Sequence, residues 1–317
     1  MTMVRGQYAQ LLAPGVKANF VEFLDTAQRE QQYDKVFNIE NTTKAFEDEV
    51  QYAGTPPMPE KTEAGAVAYT NLIPGGTKRY IPLAYALACR ASWELIDDDQ
   101  YGIIKQAPKA LARSGRFTEE MIAWNVFNQG FTTTISTDGV SLFNNAHPLL
   151  GGTAATNVGP GVSNVISSAG TYPNRPATDM DLSFSALQLM SNQFQRMIDS
   201  QGLPIVLKPK KLLIPPELLF IARELLGSPG KPYTADNEIN ALLGEDLSYM
   251  VVNFFTSQGA WFAVTEKEGH QLKFLRRKAL DTDFDDDFDT RSVKMMTFTR
   301  FAVGATHWLG TWGTNAP

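Results

Sequence analysis

The sequence is poor in the side chains that build disulfides, metal sites and nucleophilic centres. Its 317 residues include one cysteine, Cys89, and three histidines, His147, His270 and His307, which lie far apart. A single cysteine excludes an internal disulfide framework and a cysteine-rich metal site. The histidine spacing excludes the two-histidine helix of a zinc protease. We therefore expect no bound metal ion and no cofactor.

Long apolar runs are also missing. No stretch approaches the roughly 18 consecutive apolar residues that cross a membrane. The first residues, 1–20, contain Gln10, Pro14 and Gly15 where a secretory signal needs a continuous apolar core. We therefore expect a chain that is made and kept in a cytoplasm and that has no membrane partner.

Positive charge is in deficit. The chain has 28 Lys and Arg against 34 Asp and Glu, which gives a formal net charge of −6. A protein whose main task is to coat nucleic acid needs a basic face, so that class is disfavoured. Apolar residues make up 43% of the chain and charged residues 20%, which is enough for a buried core in one large domain or two.

Catalytic motifs are weak. No dinucleotide fingerprint, phosphate-binding loop or GxSxG elbow occurs, and Gly139-Val140-Ser141 fails because Phe143 stands where the second glycine is needed. His147 follows Asn144 and Asn145 and lies near Asp138, so it could act as a general base. Without a nucleophile in the pattern, a hydrogen-bonding strut is the favoured interpretation. We predict no catalytic residue.

An acidic run extends from Asp281 to Asp289. Its first, third and fifth positions are acidic, as in a calcium loop, but Asp286 replaces the required glycine and Ser292 the required glutamate. We predict a solvated acidic loop over 281–289 that faces the basic residues 276–278 of the same or a neighbouring chain. The predicted contacts of this kind are Arg276, Arg277, Asp285 and Asp287.

The first half of the chain predicts an arm, a hairpin and a helix. Residues 1–50 are interpreted as an extended arm with short helices. Apolar residues at alternate positions on both sides of Pro74-Gly75-Gly76 predict a long β-hairpin that turns there. Asp97-Asp98-Asp99 predicts the start of a long helix over 97–129. Interruptions are expected at Pro108 and Ser114-Gly115, and a second cap at Thr118-Glu119-Glu120, before Gly130 ends the helix.

The second half alternates helices and strands. A Gly-rich loop over 131–177 precedes a helix that starts at Thr178-Asp179 and closes at Gly202. Pro215-Pro216 predicts the start of the next helix. The remaining predictions are strands, over residues 203–215, 249–255, 261–265, 271–276 and, as one long closing strand, 292–309.

Four stretches carry a resemblance to a known family. They are Tyr80–Ala112 (YIPLAYALACRASWELIDDDQYGIIKQAPKALA), Leu142–Pro148 (LFNNAHP), Gly202–Leu226 (GLPIVLKPKKLLIPPELLFIARELL) and the closing TFTRFAVGATHWLGTWG at 297–313. In this order, and over residues 45–312, the chain resembles the major capsid protein of tailed phages with the Hong Kong phage 97 fold. More narrowly, it is similar to the Mu-like phage major head subunit family.

The resemblance implies an α+β fold of four parts. These are an N-arm (1–50), an E-loop hairpin (51–92), a peripheral domain (93–202) with a spine helix at 97–129, and an axial domain (203–275), after which 276–317 returns to the peripheral domain. It implies a non-enzymatic head protein that self-assembles into hexamers and pentamers of an icosahedral shell around double-stranded phage DNA. The E-loop should lie across the adjacent subunit through Tyr80, Ile81 and Leu83.

The implied partners are other copies of the chain, a scaffolding protein, a portal and a decoration protein. Only about fifty residues precede the E-loop, so we expect a separate scaffolding protein, and the acidic chain should touch packaged DNA weakly and without sequence preference. Lys61 and Lys78 lack an identifiable asparagine partner, so no covalent cross-link is expected. The expected locations are the virion capsid and, during assembly, the host cytoplasm. The alternatives are an encapsulin-like nanocompartment shell with protein cargo and a soluble enzyme that uses His147.

Overall fold

The computed structural model describes residues 31–52, 58–71, 74–92, 94–95, 98, 106–134, 136–148, 171–199, 203–230, 238–287 and 289–316. The strands are β1 (Asn38–Asn41), β2 (Glu47–Tyr52), β3 (Pro74–Tyr80), β4 (Leu83–Ser92), β5 (His147–Pro148), β6 (Thr171–Tyr172), β7 (Lys211–Ile214), β8 (Ser248–Val251), β9 (Ala260–Val264), β10 (Leu272–Asp287), β11 (Ser292–Ala305) and β12 (Thr311–Asn315). The helices are α1 (Ala107–Asn128), α2 (Phe184–Gln195) and α3 (Leu219–Gly227).

The first sheet has the strand order β1-β10-β11-β4. β1 runs parallel to β10, and the other two pairs are antiparallel. The acidic run 281–287 belongs to β10 and pairs with β11 down to the contact between Asp287 and Ser292. The predicted acidic loop is therefore wrong over these residues. Exposed Asp281 and Asp283 alternate with buried Thr282, which is the period of a strand with one covered face.

The helix α1 covers one face of this sheet. The helix begins at Ala107, with Pro108 in the first turn, where proline is tolerated, and it ends just before Gly130. The predicted start at Asp97 lies outside the described residues. The predicted break at Ser114-Gly115 is wrong, because Gly115 lies inside the helix, where an added Cβ would come within 2.5 Å of Leu280 Cδ1.

The predicted second cap, Thr118-Glu119-Glu120, is also wrong. These residues lie in the interior of α1, and both glutamates are buried. An N-terminal cap needs a free helix start, and here the helix has already begun at Ala107, about three turns earlier.

The second sheet has the strand order β12-β9-β7-β8. β9 is buried at every position, as expected for a strand that is covered on both faces. The predicted helix after Pro215 is confirmed as a 3-10 turn that leads into α3. The long closing strand is in fact two strands, because β11 leaves the first sheet and β12, after a bend at 306–310, joins the second. α2 begins at Phe184, later than predicted, where Ser183 accepts a hydrogen bond from the amide of Ala186.

An aromatic core connects α1 to both sheets. The Phe127 ring lies 6.0 Å from Phe37 and 5.2 Å from Phe262, and Trp124 lies 5.9 Å from Phe37. All four side chains are fully buried. Burial of such large rings is the main stabilising term of the body of the protein.

A separate two-stranded ribbon is formed by β2 and β3. Glu47 pairs with Tyr80 and Tyr52 with Pro74. The predicted hairpin turn at Pro74-Gly75-Gly76 is therefore wrong, since these residues are inside β3. The alternating apolar residues from Leu83 onwards belong to β4, a strand of the first sheet that pairs with β11. The excursion between the paired strands is residues 53–73, and its described part, 58–71, has no helix or strand.

The described part of the predicted arm also differs from expectation. Residues 33–35 form a single 3-10 turn, and β1 and β2 follow. The short helices expected here are wrong for residues 31–50. β1 is instead added to the edge of the first sheet, where it gains hydrogen bonds from β10.

Candidate assembly surfaces

The base of the β2–β3 ribbon is fixed against the body by a close backbone contact. A Cβ added to Gly76 would lie 1.9 Å from the Thr137 carbonyl oxygen, so only glycine fits there. Beside this contact, the Thr137 hydroxyl donates a 2.6 Å hydrogen bond to the side-chain oxygen of Gln51. Both strands of the ribbon therefore contact residue 137.

A polar network forms a second attachment of the ribbon. Lys273 on β10 pairs with Glu49 on β2 and, at 3.0 Å, with Glu40 on β1. Thr306 donates a 2.5 Å hydrogen bond to Glu49 and shares a 2.7 Å hydrogen bond with the Tyr80 hydroxyl. Burial alone would lower the pKa of Lys273, but the hydrogen bonds to the two glutamates outweigh it and raise that pKa. The lysine is thus held as a cation between them.

The three predicted E-loop contacts have different environments. Tyr80 is 2% exposed and packs inside its own chain, whereas Ile81 is 56% exposed and Leu83 57%. The two exposed side chains border a cavity of about 260 Å³, which β3, β4, β11 and α1 enclose. Tyr80 therefore does not fit the predicted contact surface, and Ile81 and Leu83 do.

The predicted charged contacts do not face one another. Arg276 donates a 2.7 Å hydrogen bond to the Tyr33 hydroxyl and Arg277 is half-buried, while Asp285 is exposed on β10. Asp287 pairs at 2.9 Å with Lys294 on β11, and Arg90 on β4 lies 3.6 Å away. The hydrogen bond from Lys294 is the largest cause that lowers the pKa of Asp287 to about 2. Within the chain, Asp287 is thus paired by its own sheet and not by 276–278. The contact of these charged residues with a neighbouring chain stays a prediction.

Two buried glutamates hold the segment 31–37, which the sequence analysis missed. Glu120 accepts hydrogen bonds from the amides of Gln32 (2.5 Å) and Tyr33 (3.3 Å) and from the Trp124 indole (2.7 Å). Glu119 accepts from the Tyr33 hydroxyl at 3.0 Å and from Arg116 at 2.8 Å. Burial raises the pKa of Glu120. The start of the described chain is therefore fixed to the middle of α1.

His147 is a buried strut, as predicted. Its Nδ1 lies 2.5 Å from Asp138 and its Nε2 3.0 Å from the Asn174 side-chain oxygen, and its ring stacks on Trp308 at 4.6 Å. Ser136 donates to the same aspartate. A catalytic triad needs histidine between serine and carboxylate, whereas here the carboxylate lies between the other two. The arrangement connects three loops.

No metal-binding geometry is found in the described ranges, where three or more His, Cys, Asp and Glu side chains never converge. The helices in those ranges are all too short or too polar to cross a membrane. Exposed apolar side chains of the described residues include Met58, Val67 and Tyr69 on segment 58–71, and Ile81 and Leu83 beside the ribbon.

Solved phage structures share this architecture. A Microbacterium phage Oxtober96 structure is 12% identical, with a TM-score of 0.55, and 90% of each chain is covered. The capsid of a native GTA particle is 12% identical, with a TM-score of 0.56, and 89% of each chain is covered. The bacteriophage JBD30 capsid decorated with minor capsid protein trimers is 13% identical, with a TM-score of 0.52, over 71% of this chain and 91% of that one. The fold is therefore Hong Kong phage 97-like.

The family follows from the sequence match. The model of the phage capsid protein family matches residues 76–312, which is more than half of the chain. The chain belongs to the phage capsid protein family and is a structural, shell-forming protein of the virion. A search of the curated proteins found no match. The match is to phage capsid proteins as a whole, and it does not favour a nanocompartment or a soluble enzyme.

Proposed function

We propose that this capsid protein forms hexamers and pentamers that tile an icosahedral shell around double-stranded phage DNA. Segment 58–71 is the observation that supports this assembly. It is carried on a ribbon of two strands, and Met58, Val67 and Tyr69 are exposed on it. A two-stranded ribbon with exposed apolar side chains is marginal in water unless another surface receives it. A neighbouring copy would provide that surface.

We propose that Ile81 and Leu83, which lie beside the ribbon, contact a neighbouring copy of the chain. They are exposed, apolar and adjacent to a cavity of about 260 Å³, which is the anatomy of a small protein–protein contact. The neighbouring Tyr80 is buried and is held to the body through its hydrogen bond with Thr306. The reaching part of the E-loop is then the ribbon and residues 53–73, and β4 belongs to the body.

The axial stretch 203–275 is proposed to surround the axis of each capsomer. Among its described residues, the exposed large apolar side chains are Val206, Phe220, Ile239, Leu243 and Tyr249. Ring-shaped oligomers need one surface that meets the next copy, and exposed apolar groups on a single stretch are suited to that contact. We propose the other parts of the shell fold with the same bounds as before. They are an N-arm (1–50), a peripheral domain (93–202) and a return to the peripheral domain (276–317).

The proposed partners beyond other copies are a scaffolding protein, a portal, a decoration protein and packaged DNA. With a net charge of −6, the shell wall would release few counterions on contact with DNA, so that contact is weak and non-specific. Assembly is proposed to take place in the host cytoplasm. The narrower assignment to the Mu-like head proteins is supported by the four stretches quoted above.

Electron microscopy of assembled protein tests the shell. We expect icosahedral particles with pentamers at the vertices, and nucleic acid inside those isolated from phage. A small monodisperse species that never assembles would overturn the proposal, and a shell filled with protein cargo would favour the nanocompartment.

A variant pair tests the contact at the ribbon. The double variant I81D/L83D should keep the circular dichroism of the subunit, because both side chains are exposed, but should reduce the particle yield at least tenfold. The matched control I81V/L83M keeps apolar side chains and should assemble normally. Normal assembly of I81D/L83D would show that these side chains are not part of the contact.

A further inference from the structure

The outer edge of β4 is free within the described chain. β4 is the last strand in the order β1-β10-β11-β4, and only its inner edge pairs, in unbroken register from Ser92 opposite Ser292 to Leu83 opposite Phe301. Its ten residues thus present alternate backbone N–H and C=O groups outwards. Such a row is a template for another strand.

The usual protections of a free edge are missing from β4. It contains no proline and shows no register shift against β11. Its single charged residue, Arg90, lies near one end of the strand and is bonded to Thr290, Ser292 and Asp287 of its own chain. Leu87 is 52% exposed. A long, regular, apolar edge of this kind persists in soluble proteins when a partner covers it.

Residues 66–71 (AVAYTN) have the complementary properties. Val67 is 62% exposed and Tyr69 96%, and the two alternate with the small residues Ala66, Ala68 and Thr70. This is the pattern of a strand with one apolar face, yet the segment is not in a strand. Its six residues reach about 20 Å when extended, which fits within the length of β4.

The side chains of β4 are sorted by size in the same way. Leu83, Tyr85 and Leu87 lie on the face towards α1, where Leu83 and Tyr85 share a cavity with Ile122 of that helix. Ala84, Ala86 and Ala88 lie on the opposite face. A strand formed by 66–71 would place Val67 and Tyr69 beside the large side chains and its small ones beside the alanines. Cross-strand pairs of aromatic and aliphatic groups stabilise sheets.

We propose that residues 66–71 of one copy add as a fifth strand to the β4 edge of a neighbouring copy. This inference rests on the proposed shell function and specifies its main contact. The donor and the acceptor are different surfaces of the same chain, so each copy gives one strand and receives one. Head-to-tail contacts of this type close into rings, as capsomers require.

Disulfide trapping in assembled particles tests the pairing. In a C89S background, L87C is the acceptor, and the donors are V67C, Y69C and N71C in one set and A66C, A68C and T70C in the other. Oxidised particles should give an inter-chain ladder on a non-reducing gel with the first set, at least tenfold stronger than with the second. The period of two arises because successive side chains in a strand point to opposite faces.

Moving the acceptor provides the matched control. With A86C in place of L87C, the preference should reverse, and the second set should give the ladder. Equal yields from both sets, the same preference with both acceptors, or only intra-chain cross-links would overturn the pairing. If particles form and the pattern is absent, the edge proposal alone fails, whereas absence of any shell would contradict the proposed function.

Hydrogen exchange of the unsubstituted protein gives a second test that needs no variant. The β4 amides that point away from β11 should exchange at least tenfold more slowly in particles than in free subunits, because the added strand accepts their hydrogen bonds. The β9 amides serve as the reference, since β9 is paired on both sides within the subunit and should exchange equally in both states. Equal exchange of the outward β4 amides in both states would contradict the proposal.

Discussion

Asp138 is the residue on which the loops around His147 depend. It is almost fully buried and accepts hydrogen bonds from Ser136, from the Val140 amide and from His147. Burial alone would raise the pKa of Asp138, but the hydrogen bonds from His147 and Ser136 outweigh it and lower that pKa. The carboxylate is therefore the stable form in the folded chain.

Removing that carboxylate should destabilise the subunit. D138A leaves the Nδ1 of buried His147 and the Ser136 hydroxyl without their acceptor, and we expect a loss of about 2–4 kcal/mol in the free energy of unfolding. Urea denaturation followed by fluorescence is the measurement. The control is D283A, on the exposed face of β10, which should change the value by less than about 0.5 kcal/mol. Similar losses in both variants would refute a specific role for Asp138.

Local sequence patterns do not reveal hydrogen-bond partners that are distant in the chain. His147 could be interpreted as a strut because it lacked a nucleophile nearby in sequence. Glu119 and Glu120 were interpreted as a cap, because acids followed by apolar residues are typical of a helix start. Besides local donors they accept hydrogen bonds from Gln32 and Tyr33, which are more than eighty residues away. No local pattern reports a partner at such a distance.

Among the elements, the β2–β3 ribbon depends on one glycine. Gly76 lies against the Thr137 carbonyl, so the Cβ of G76A would overlap a backbone atom that cannot rotate away. We expect the ribbon base to separate from the body and the Thr77–Tyr80 amides to exchange at least tenfold faster in hydrogen-exchange mass spectrometry. G244A is the control, because nothing lies within 4 Å of that position. Unchanged exchange in G76A would mean that the contact does not hold the ribbon.

The elements were predicted best where both partners are near in sequence or the pattern is strong. α3 after Pro215 and the buried strand β9 follow from local signals. The ribbon was not predictable in the same way. Pro74-Gly75-Gly76 has the composition of a turn, and only the pairing with β2 places it in a strand. The acidic end of β10 was missed because its five aspartates disfavour a strand, and only the pairing with β11 makes it one.

At the scale of the whole molecule, buried histidines set the dependence of stability on pH. Burial lowers the pKa of both His270 and His307 to about 4, and each Nδ1 accepts a backbone hydrogen bond, from Leu272 and Leu309. Lys211 and Lys267 lower that of His270 further, while Asp138 opposes the shift at His307. Folding therefore favours the neutral rings, and protons bind more readily to the unfolded chain.

The subunit should accordingly lose stability as pH falls from about 6.5, the ordinary histidine value, through about 4. The two neutral rings together should account for a loss of about 4–6 kcal/mol over that window. Melting temperatures by calorimetry at successive pH values measure it. H270Q should make the curve shallower between these limits, and K278Q, an exposed change on β10, should leave its shape unaltered. An unchanged slope in H270Q would argue that its ring is not neutral in the folded state.

The order of the elements predicted the whole molecule better than any motif did. The excursion, the long helix, the mixed segment and the closing strands follow one another in the order expected of the Hong Kong phage 97 fold, and the family match agrees with it. The boundaries were less accurate, since they depend on long-range pairing such as that of β1 with β10. The expected contacts between subunits needed the exposure of each side chain, which separates Tyr80 from Ile81 and Leu83.

The path of the C-terminal strands has a mechanical consequence. β11 is bonded on both sides in the first sheet, and after residues 306–310 the same backbone enters the second sheet as β12. Tension along this line loads many hydrogen bonds at once in shear, where none can open singly, and the close-packed aromatic core transmits the remainder. In a shell built of such subunits, the continuous backbone from β11 to β12 would bear part of the load from internal pressure. The shell would then be expected to break first at the contacts between subunits.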